Sequence, residues 1–312
     1  MKISIIGAAG CIGSCTAFNL ATHGLADELV LIGGSHQDAL RQHALDISTA
    51  MSTQDIVVRA GSYEDMAGSD IVISAAGVPQ GIVTSRMEWL SANVALVQDI
   101  GKEIMQICPD AVVINATNPA DPFNYAMYLM SSRRDRRKFI GYSANDTFRF
   151  RMMAAEALQV KPHRVDGIVI GEHGETQVLL FSSLKLDGKP VAVTDELKQK
   201  VLGQVPGILH TLETFKAKTG RTAGWTCAAG LAMICRAIKQ DTREVLPCSA
   251  VLDGEYGYRD ASITVPAVIG KDGVHQIKVL ELTEKEREGL RKSVNFLSSH
   301  MRYVQEKLGI KK

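Results

Sequence analysis

Lys2-Ile-Ser-Ile-Ile-Gly7-Ala-Ala-Gly10-Cys-Ile-Gly13 decides the fold of this chain. Its first half reads as a short buried strand, Ile3, Ile5 and Ile6 followed by glycine. Its second half spaces glycines as GxxGxxG and runs into a helical stretch ending near Gly24. Strand, glycine turn and helix form the context that cradles a dinucleotide pyrophosphate. The first glycine permits the tight turn, the second a close backbone approach to phosphate, the third close packing of helix on strand. The unpaired N–H groups at the helix start then face the anion. Gly7, Gly10, Cys11, Ile12 and Gly13 are therefore candidate cofactor-binding residues. The spacing departs from the commoner GxGxxG, so the turn needs company before it carries a function.

The alternation continues outward from that turn. Leu29–Ile32, Ile56–Ala60, Asp70–Ala76, Ala111–Ala116 and Lys138–Gly141 read as strands, with helical stretches at Gln37–Ala50, Glu88–Cys108 and Asp121–Ser131. Repeated βα units of this length predict an α/β fold, a Rossmann-type doubly wound parallel sheet with helices on both faces. Ligands of such sheets sit at the carboxyl ends of the strands, where Gly7, Gly77 and Asn118 fall. From about Ser143 the pattern changes. Helices are expected at Asp146–Leu158, Asp195–Lys216 and Ala223–Ile238. Strands are expected at Arg164–Ile170, Leu184–Leu186, Val245–Leu252, Ser262–Ile269 and His275–Val279. Thr283–Leu308 reads as a closing amphipathic helix with Thr283 and Glu286 as a capping box. The expected division is a dinucleotide-binding domain over 1–142 and a mixed α+β substrate domain over 143–312.

Bulk composition narrows the classes. The chain has 312 residues, 46% hydrophobic, with 35 basic and 34 acidic residues that nearly cancel. Such a balance points away from nucleic acid and from an acidic membrane surface. The 6 cysteines show no CxxC pair and no zinc spacing, so no metal is expected and a reduced cytoplasmic setting fits best. No apolar run is long enough to span a bilayer, and Met1 leads almost at once into a strand, which leaves no room for a signal segment. The run Arg133-Arg-Asp-Arg-Arg137 reads as a solvated loop.

Candidate chemistry centres on Ile168-Val-Ile-Gly-Glu-His-Gly-Glu175. An apolar run delivers His173, flanked by glycines that leave the ring approachable. Histidine holds or releases a proton near neutral pH. A lone histidine is most often structural, but matching pieces lie upstream. They are Ala76-Gly-Val-Pro-Gln-Gly-Ile-Val-Thr-Ser-Arg86, Thr117-Asn-Pro-Ala-Asp121 and Asn145-Asp146-Thr-Phe-Arg149-Phe-Arg151, and downstream Leu252-Asp-Gly-Glu-Tyr-Gly257.

With the N-terminal turn, these blocks make the chain resemble the L-lactate/L-malate dehydrogenase family from end to end. The resemblance implies hydride transfer between a nicotinamide cofactor and C2 of a small 2-hydroxy or 2-oxo acid. It makes His173 the acid/base, Asp146 its carboxylate partner, and Arg86 the arginine that polarises the substrate carbonyl. Arg149 matches the guanidinium that grips the substrate carboxylate by two parallel hydrogen bonds. Asn118, Gln80 and Ala223 match further substrate contacts. Ala223 is expected in a helix facing the substrate. Cofactor contacts are implied at Gly33, Gly34, Ser35, His36, Ala76, Gly77, Asn93 and Asn118. A homodimer or homotetramer is the implied assembly. A dinucleotide-binding protein without turnover and an NAD-dependent glycosidase fit less well, because the Asp/Arg/His set is intact.

Departures from the family pattern carry information of their own. NAD-using relatives usually place an acid at the end of the second strand, where this chain has Gly33-Gly34-Ser35-His36. An acid there repels a 2′-phosphate, and small residues with donors, with Arg41 nearby, admit one. NADP, alone or with NAD, is thus the expected cofactor. Gln80 stands where malate enzymes carry a second arginine for the second carboxylate, and a neutral amide there favours a lactate-like or other neutral 2-oxo acid. Ala223 is a malate-type feature, so L-malate is the alternative substrate. Arg151 matches a basic residue of the sugar-bisphosphate site of some bacterial lactate enzymes, but Asp166 replaces that site's histidine. No activation by fructose 1,6-bisphosphate is expected.

Overall fold

Three isoleucines of β1 (Lys2–Ile6) are buried on opposite faces, Ile3 and Ile5 against one helical layer and Ile6 against the other. A strand buried on both faces must lie in the middle of a covered sheet. The computed structural model describes residues 1–34, 36–78 and 86–310, with residues 86 and 87 described by backbone alone. After β1 come α1 (Cys11–Thr22), β2 (Glu28–Ile32), α2 (Gln37–Ala50), β3 (Val57–Gly61), β4 (Ile71–Ser74) and α3 (Arg86–Ile107). β5 (Val112–Asn115), α4 (Ala120–Met130), β6 (Phe139–Gly141) and α5 (Ala144–Ala157) follow. The remainder is β7 (Val165–Ile170), β8 (Val178–Leu186), β9 (Lys189–Pro190), α6 (Asp195–Leu202), α7 (Val205–Thr219) and α8 (Trp225–Gln240). It closes with β10 (Glu244–Asp253), β11 (Arg259–Gly270), β12 (Gly273–Ile277) and α9 (Glu284–Lys307).

The large sheet has the order β12-β11-β10-β6-β5-β4-β1-β2-β3. Its β3-β2-β1-β4-β5-β6 part is parallel throughout and doubly wound. The strand order reverses between β1 and β4, which opens the ligand crevice beyond their carboxyl ends. The later strands divide. β7, β8 and β9 form a separate antiparallel sheet, while β10 pairs antiparallel with β6 and carries β11 and β12 onto the edge of the parallel sheet. One face of the large sheet is covered by α1, α2 and α8, the other by α3 and α4, against which α9 packs. A smaller core joins α5, α6 and the β7/β8 sheet through Phe150, Met153, Val169, Leu184 and Val201.

Three expectations are corrected. The single helix expected over Asp195–Lys216 is two helices, α6 and α7. Gly203 caps the first, and Pro206 opens the second, where its missing N–H costs nothing. The strand expected only at Leu184–Leu186 begins at Val178, because Val178, Leu179 and Leu180 pair antiparallel with Ile170, Val169 and Ile168 of β7, and an irregularity carries the strand on to Lys185 and Leu186. Ala223 precedes α8 instead of lying within it, since Gly224 forms the helix N-cap with φ 83°.

The capping box at Thr283 is present. Glu286 N–H donates to Thr283 Oγ1 at 3.3 Å, and Thr283 N–H donates to Glu286 Oε2 at 2.9 Å. Such a cap contributes about 1 kcal/mol. The same carboxylate accepts from Ser182 N–H and Oγ–H, so the start of α9 is also fixed to β8.

Candidate active site

The glycine turn behaves as its spacing requires. Gly7 has φ 85°, and a Cβ there would stand 2.5 Å from Ala76 N, a backbone atom that cannot yield. A Cβ on Gly13 would stand 2.5 Å from Gly7 O. The two glycines let β1, the end of β4 and the start of α1 meet. Gly10 is the exposed tip and N-cap of α1, with no side chain capping the helix. Cys11 and Ile12 begin the first turn, whose N–H groups are the anion-binding donors of such a motif. The cradle fits a dinucleotide pyrophosphate.

At the end of β4, Thr117 Oγ1–H donates to Ala76 O at 2.6 Å. Gly77 is exposed, and a Cβ there would meet only Asn93 Oδ1 at 3.7 Å. Asn93 itself is buried. Its Oδ1 accepts from Val78 N–H at 2.8 Å and its Nδ2 donates to Trp89 O at 3.0 Å, so it braces the strand end from α3. At the end of β2, Gly33 is half-buried and Gly34 is open, with nothing within 4 Å of where a Cβ would stand. Gln37 Nε2 donates to the carbonyls of both. His36 is exposed, and Arg41 pairs with Asp38 on the outer face of α2. Ser35 and Gln80 lie outside the described residues, as does the side chain of Arg86, whose backbone opens α3.

The second group of residues converges on the turn after β7. His173 Nδ1 lies 2.5 Å from Asp146 Oδ2, and their side chains are 11% and 7% exposed, so the imidazole keeps one narrow face to solvent. The contact leaves Nε2 as the nitrogen available to a ligand. Arg149 NH1 donates to Asp146 Oδ1 at 3.3 Å, one helical turn along α5. A small cavity of about 40 Å³ beside Asp146 and Arg149 is lined by Met153, Gln177, Leu179, Val205, Ile208 and Leu209. Asn118 is half-buried after β5, its bond to Pro119 is cis, and its amide makes no hydrogen bond among the described residues. Ala223 is exposed and faces α1: its carbonyl lies 4.0 Å from Cys15 Sγ. It is not among the residues that line the cavity beside Arg149.

Asp121 is the functional-site residue that sequence reasoning passes over, although it closes the Asn-Pro-Ala-Asp block. Its Oδ2 accepts the backbone N–H of His173 at 2.7 Å across 52 positions of sequence. Full burial pushes its carboxyl up to about 6, against the opposing help of Ser249, the His173 N–H and the imidazole. Among the described residues its Oδ1 has no hydrogen-bond partner. The turn is held on two more sides. Gly171, φ 91°, exchanges backbone hydrogen bonds with Thr264, and Glu172 N–H donates to Ser293 Oγ at 2.6 Å. Cys227 stands 3.2 Å from Asn145 Nδ2, and burial pushes its thiol up, away from nucleophilic use. Among the described residues, no group of three or more His, Cys, Asp or Glu is arranged to hold a metal ion.

A glycine cradle at one set of strand ends and a His–Asp–Arg group around buried Asp146 at another have the composition of a dinucleotide-linked acid/base site. The model of the lactate/malate dehydrogenase NAD-binding domain matches residues 1–141, and that of the lactate/malate dehydrogenase α/β C-terminal domain matches residues 145–308. Malate dehydrogenase of Haloferax volcanii is 35% identical over 290 residues, 92% of this chain and 94% of that one. L-lactate dehydrogenase of Halalkalibacterium halodurans is 33% identical over 300 residues, 95% of each. The lactate dehydrogenase of Cryptosporidium parvum, solved with lactic acid and nicotinamide adenine dinucleotide, superposes with a TM-score of 0.90. It shares 28% identity and covers 97% of this chain and 98% of its own. The chain belongs to the lactate/malate dehydrogenase family. It is an NAD-linked oxidoreductase of 2-hydroxy and 2-oxo acids.

Proposed function

We propose that the enzyme reduces 2-oxo acids with neutral side chains, lactate-like or larger than pyruvate, in preference to oxaloacetate. The observation that carries this is the lining beside Arg149: apart from Asp146 and Gln177 it is aliphatic or thioether, and it offers no second cation among the described residues. A second carboxylate buried there without a partner is costly. Gln80, one amide in place of a guanidinium, points the same way. Ala223, just before α8, is the one feature that speaks for malate. L-malate remains the second reading, on the identity with relatives named malate dehydrogenase.

In this reading Arg149 grips the substrate carboxylate in a two-pronged pair, and Asn118 and Arg86 hydrogen-bond the reacting oxygen. A nicotinamide cofactor held at the Gly7–Gly13 turn would supply the hydride that forms the new C2–H bond. His173 Nε2 gives its proton to the carbonyl oxygen as that bond forms, and takes it back in oxidation. Asp146 at Nδ1 orients the ring. Asp121 and the Gly171/Thr264 bridge hold the turn at the depth where Nε2 meets the substrate.

NADP, or both cofactors, is the proposed partner, supported by the lack of a carboxylate at Gly33-Gly34 and by the exposed His36 beside them. An oligomer fits the exposed Phe18, Leu45 and Trp225 on the α1, α2 and α8 surfaces. No helix among the described residues is long and apolar enough to cross a membrane, and six unpaired cysteines fit a reducing cytoplasm. A matrix of NADH and NADPH against pyruvate, oxaloacetate and larger 2-oxo acids tests the reading. The highest kcat/KM should fall on a neutral oxo acid. A strong preference for oxaloacetate would replace it with the malate reading.

A further inference from the structure

α7 contributes no fully buried side chain, yet it touches both halves of the proposed site. Gln204, its N-cap, donates from Nε2 to Met153 O on α5 at 3.0 Å. Val205, Ile208 and Leu209 in its first turns line the cavity beside Asp146 and Arg149. In its last turn, Lys216 places Nζ 3.5 Å from the centroid of the Trp89 ring. Trp89 lies in the first turn of α3, three residues after Arg86, and both Trp89 and Lys216 are half-buried. The Trp89 carbonyl is in turn held by Asn93, whose other end holds Val78 at the edge of the crevice. α7 therefore acts as a strut. One end is fixed to the helix that carries Asp146 and Arg149, and the other to the helix that begins with Arg86.

We propose that Lys216 and Trp89 are positioning residues for the reaction: their cation–π contact sets the first turn of α3, and with it Arg86, relative to Arg149 and His173. This rests on the reading of Arg86 as the group that polarises the substrate carbonyl. An ammonium seated on an indole face and partly shielded from water is held by the ring quadrupole, and the contact is strongest for tryptophan. An aliphatic side chain of the same length keeps the packing and loses that attraction. Arginine keeps it. Small displacements of a charge-stabilising group are amplified in rate, because the transition state rewards its position far more than the ground state does.

The test uses the full-length enzyme with Lys216→Met, Lys216→Arg, Trp89→Leu and the Lys216→Met/Trp89→Leu double variant. kcat, KM, reduced-cofactor binding and melting temperature are measured for each. Lys216→Met and Trp89→Leu should each lower kcat/KM for the oxo acid about 3–10-fold, with cofactor binding unchanged. The double variant should be no worse than either single one, and Lys216→Arg should recover activity to within about twofold. Wild-type kinetics in both single variants, or losses that multiply in the double variant, would overturn the proposal. Arg86→Ala separates it from the reading beneath it. If Arg86→Ala turns over normally, the assignment of Arg86 fails. If Arg86→Ala is impaired and Lys216→Met costs nothing in the otherwise native chain, the strut fails alone. In the Arg86→Ala background Lys216→Met should have no further effect, and an undiminished effect there would also overturn it.

Discussion

The turn after β7 and the end of β2 both present small residues and a histidine at a strand end, but they are held in opposite ways. At the first, His173 is fixed through its ring by Asp146 and through its backbone by Asp121, Glu172 through its N–H by Ser293, and Gly171 by Thr264. At the second, Gly34 faces open space, the His36 ring makes no hydrogen bond among the described residues, and Arg41 pairs with Asp38 at side-chain exposures of 65% and 97%. An ion pair that exposed contributes about 0–1 kcal/mol. A group that must meet a reacting atom needs a fixed position, which calls for several independent restraints. A group that selects between two forms of a cofactor by charge needs little more than the right sign nearby. The β2 end can therefore change partner without touching the core, whereas a change at the β7 turn disturbs several restraints at once.

The sharpest way to break this contrast is at His173. His173→Asn keeps the size and the backbone restraints of the turn, so folding and cofactor binding should survive. Turnover should fall about 10²–10⁴-fold, the usual size of a proton-transfer contribution. Steady-state absorbance in the nicotinamide band measures it, and turnover within about threefold of wild type would remove His173 from the reaction.

Asp121→Asn probes the restraint beneath the same turn and should separate activity from stability. The amide oxygen still accepts the His173 N–H, but without the charge, and turnover should fall about tenfold. Stability should move the other way. The folded carboxyl is pushed up to about 6 by burial, above its unfolded value. Its contribution is thus complete below the unfolded value and is lost as pH rises through about 6. A shift of that size corresponds to at most about 3 kcal/mol by pH 7. Urea unfolding should find the variant more stable than wild type at pH 7, with the difference closing near pH 4. A variant equally destabilised at both values would mean that Asp121 acts only through packing.

Much of this was legible in the residues, for reasons that differ by element. The Gly7–Gly13 turn declares itself because each glycine answers a local steric demand, and Gln37–Ala50 because its apolar positions recur at helical spacing. The Asp146/Arg149 pair is visible as one helix turn. Its meeting with His173 is not, since 27 residues separate Asp146 from the ring, and only the family resemblance joins them. Asp121 escapes because its task is to accept a backbone N–H, which leaves no signature in the partner's side chain. Ala223 is misplaced because the seat of α8 is set by contact with α1: a Cβ on Gly224 would stand 2.9 Å from Cys11 O, a contact between positions far apart in sequence. The break between α6 and α7 was local and readable, as Gly203 and Pro206 stand within four residues.

At the open end, Gly33→Asp sharpens the comparison. A Cβ there would meet the Leu40 Cδ1 methyl at 3.1 Å, a flexible group that can yield, and the backbone at Gly33 is not left-handed. The fold should tolerate the carboxylate. Like charges brought together cost several kcal/mol at full desolvation, and on this exposed rim a shift of about 10–100-fold in the NADH:NADPH ratio of kcat/KM is expected. An unchanged ratio would place the 2′ group of the cofactor elsewhere.

The smallest expected effect is none, and it lies on the far side of α5. Arg151 follows Arg149 by two residues and matches half of a sugar-bisphosphate site, which on its own would suggest a basic pocket there. The guanidinium is already committed. Its NH2 lies 3.8 Å from Asp166 Oδ1, its Nε donates to Gly167 O at 3.0 Å, and burial makes its charge harder to hold. A phosphate arriving there would have to displace or abut the Asp166 carboxylate. At that range like charges repel by about 4 kcal/mol for an effective dielectric typical of a protein surface. Saturation curves for the oxo acid should therefore overlay with and without fructose 1,6-bisphosphate. Asp166→His removes the repelling charge and restores a donor, so it is the variant in which an effect could emerge. Activation of the unmodified enzyme would show that Asp166 does not face the phosphate, and that the restraint on Arg151 is as loose as the β2 end and not as tight as the turn that holds His173.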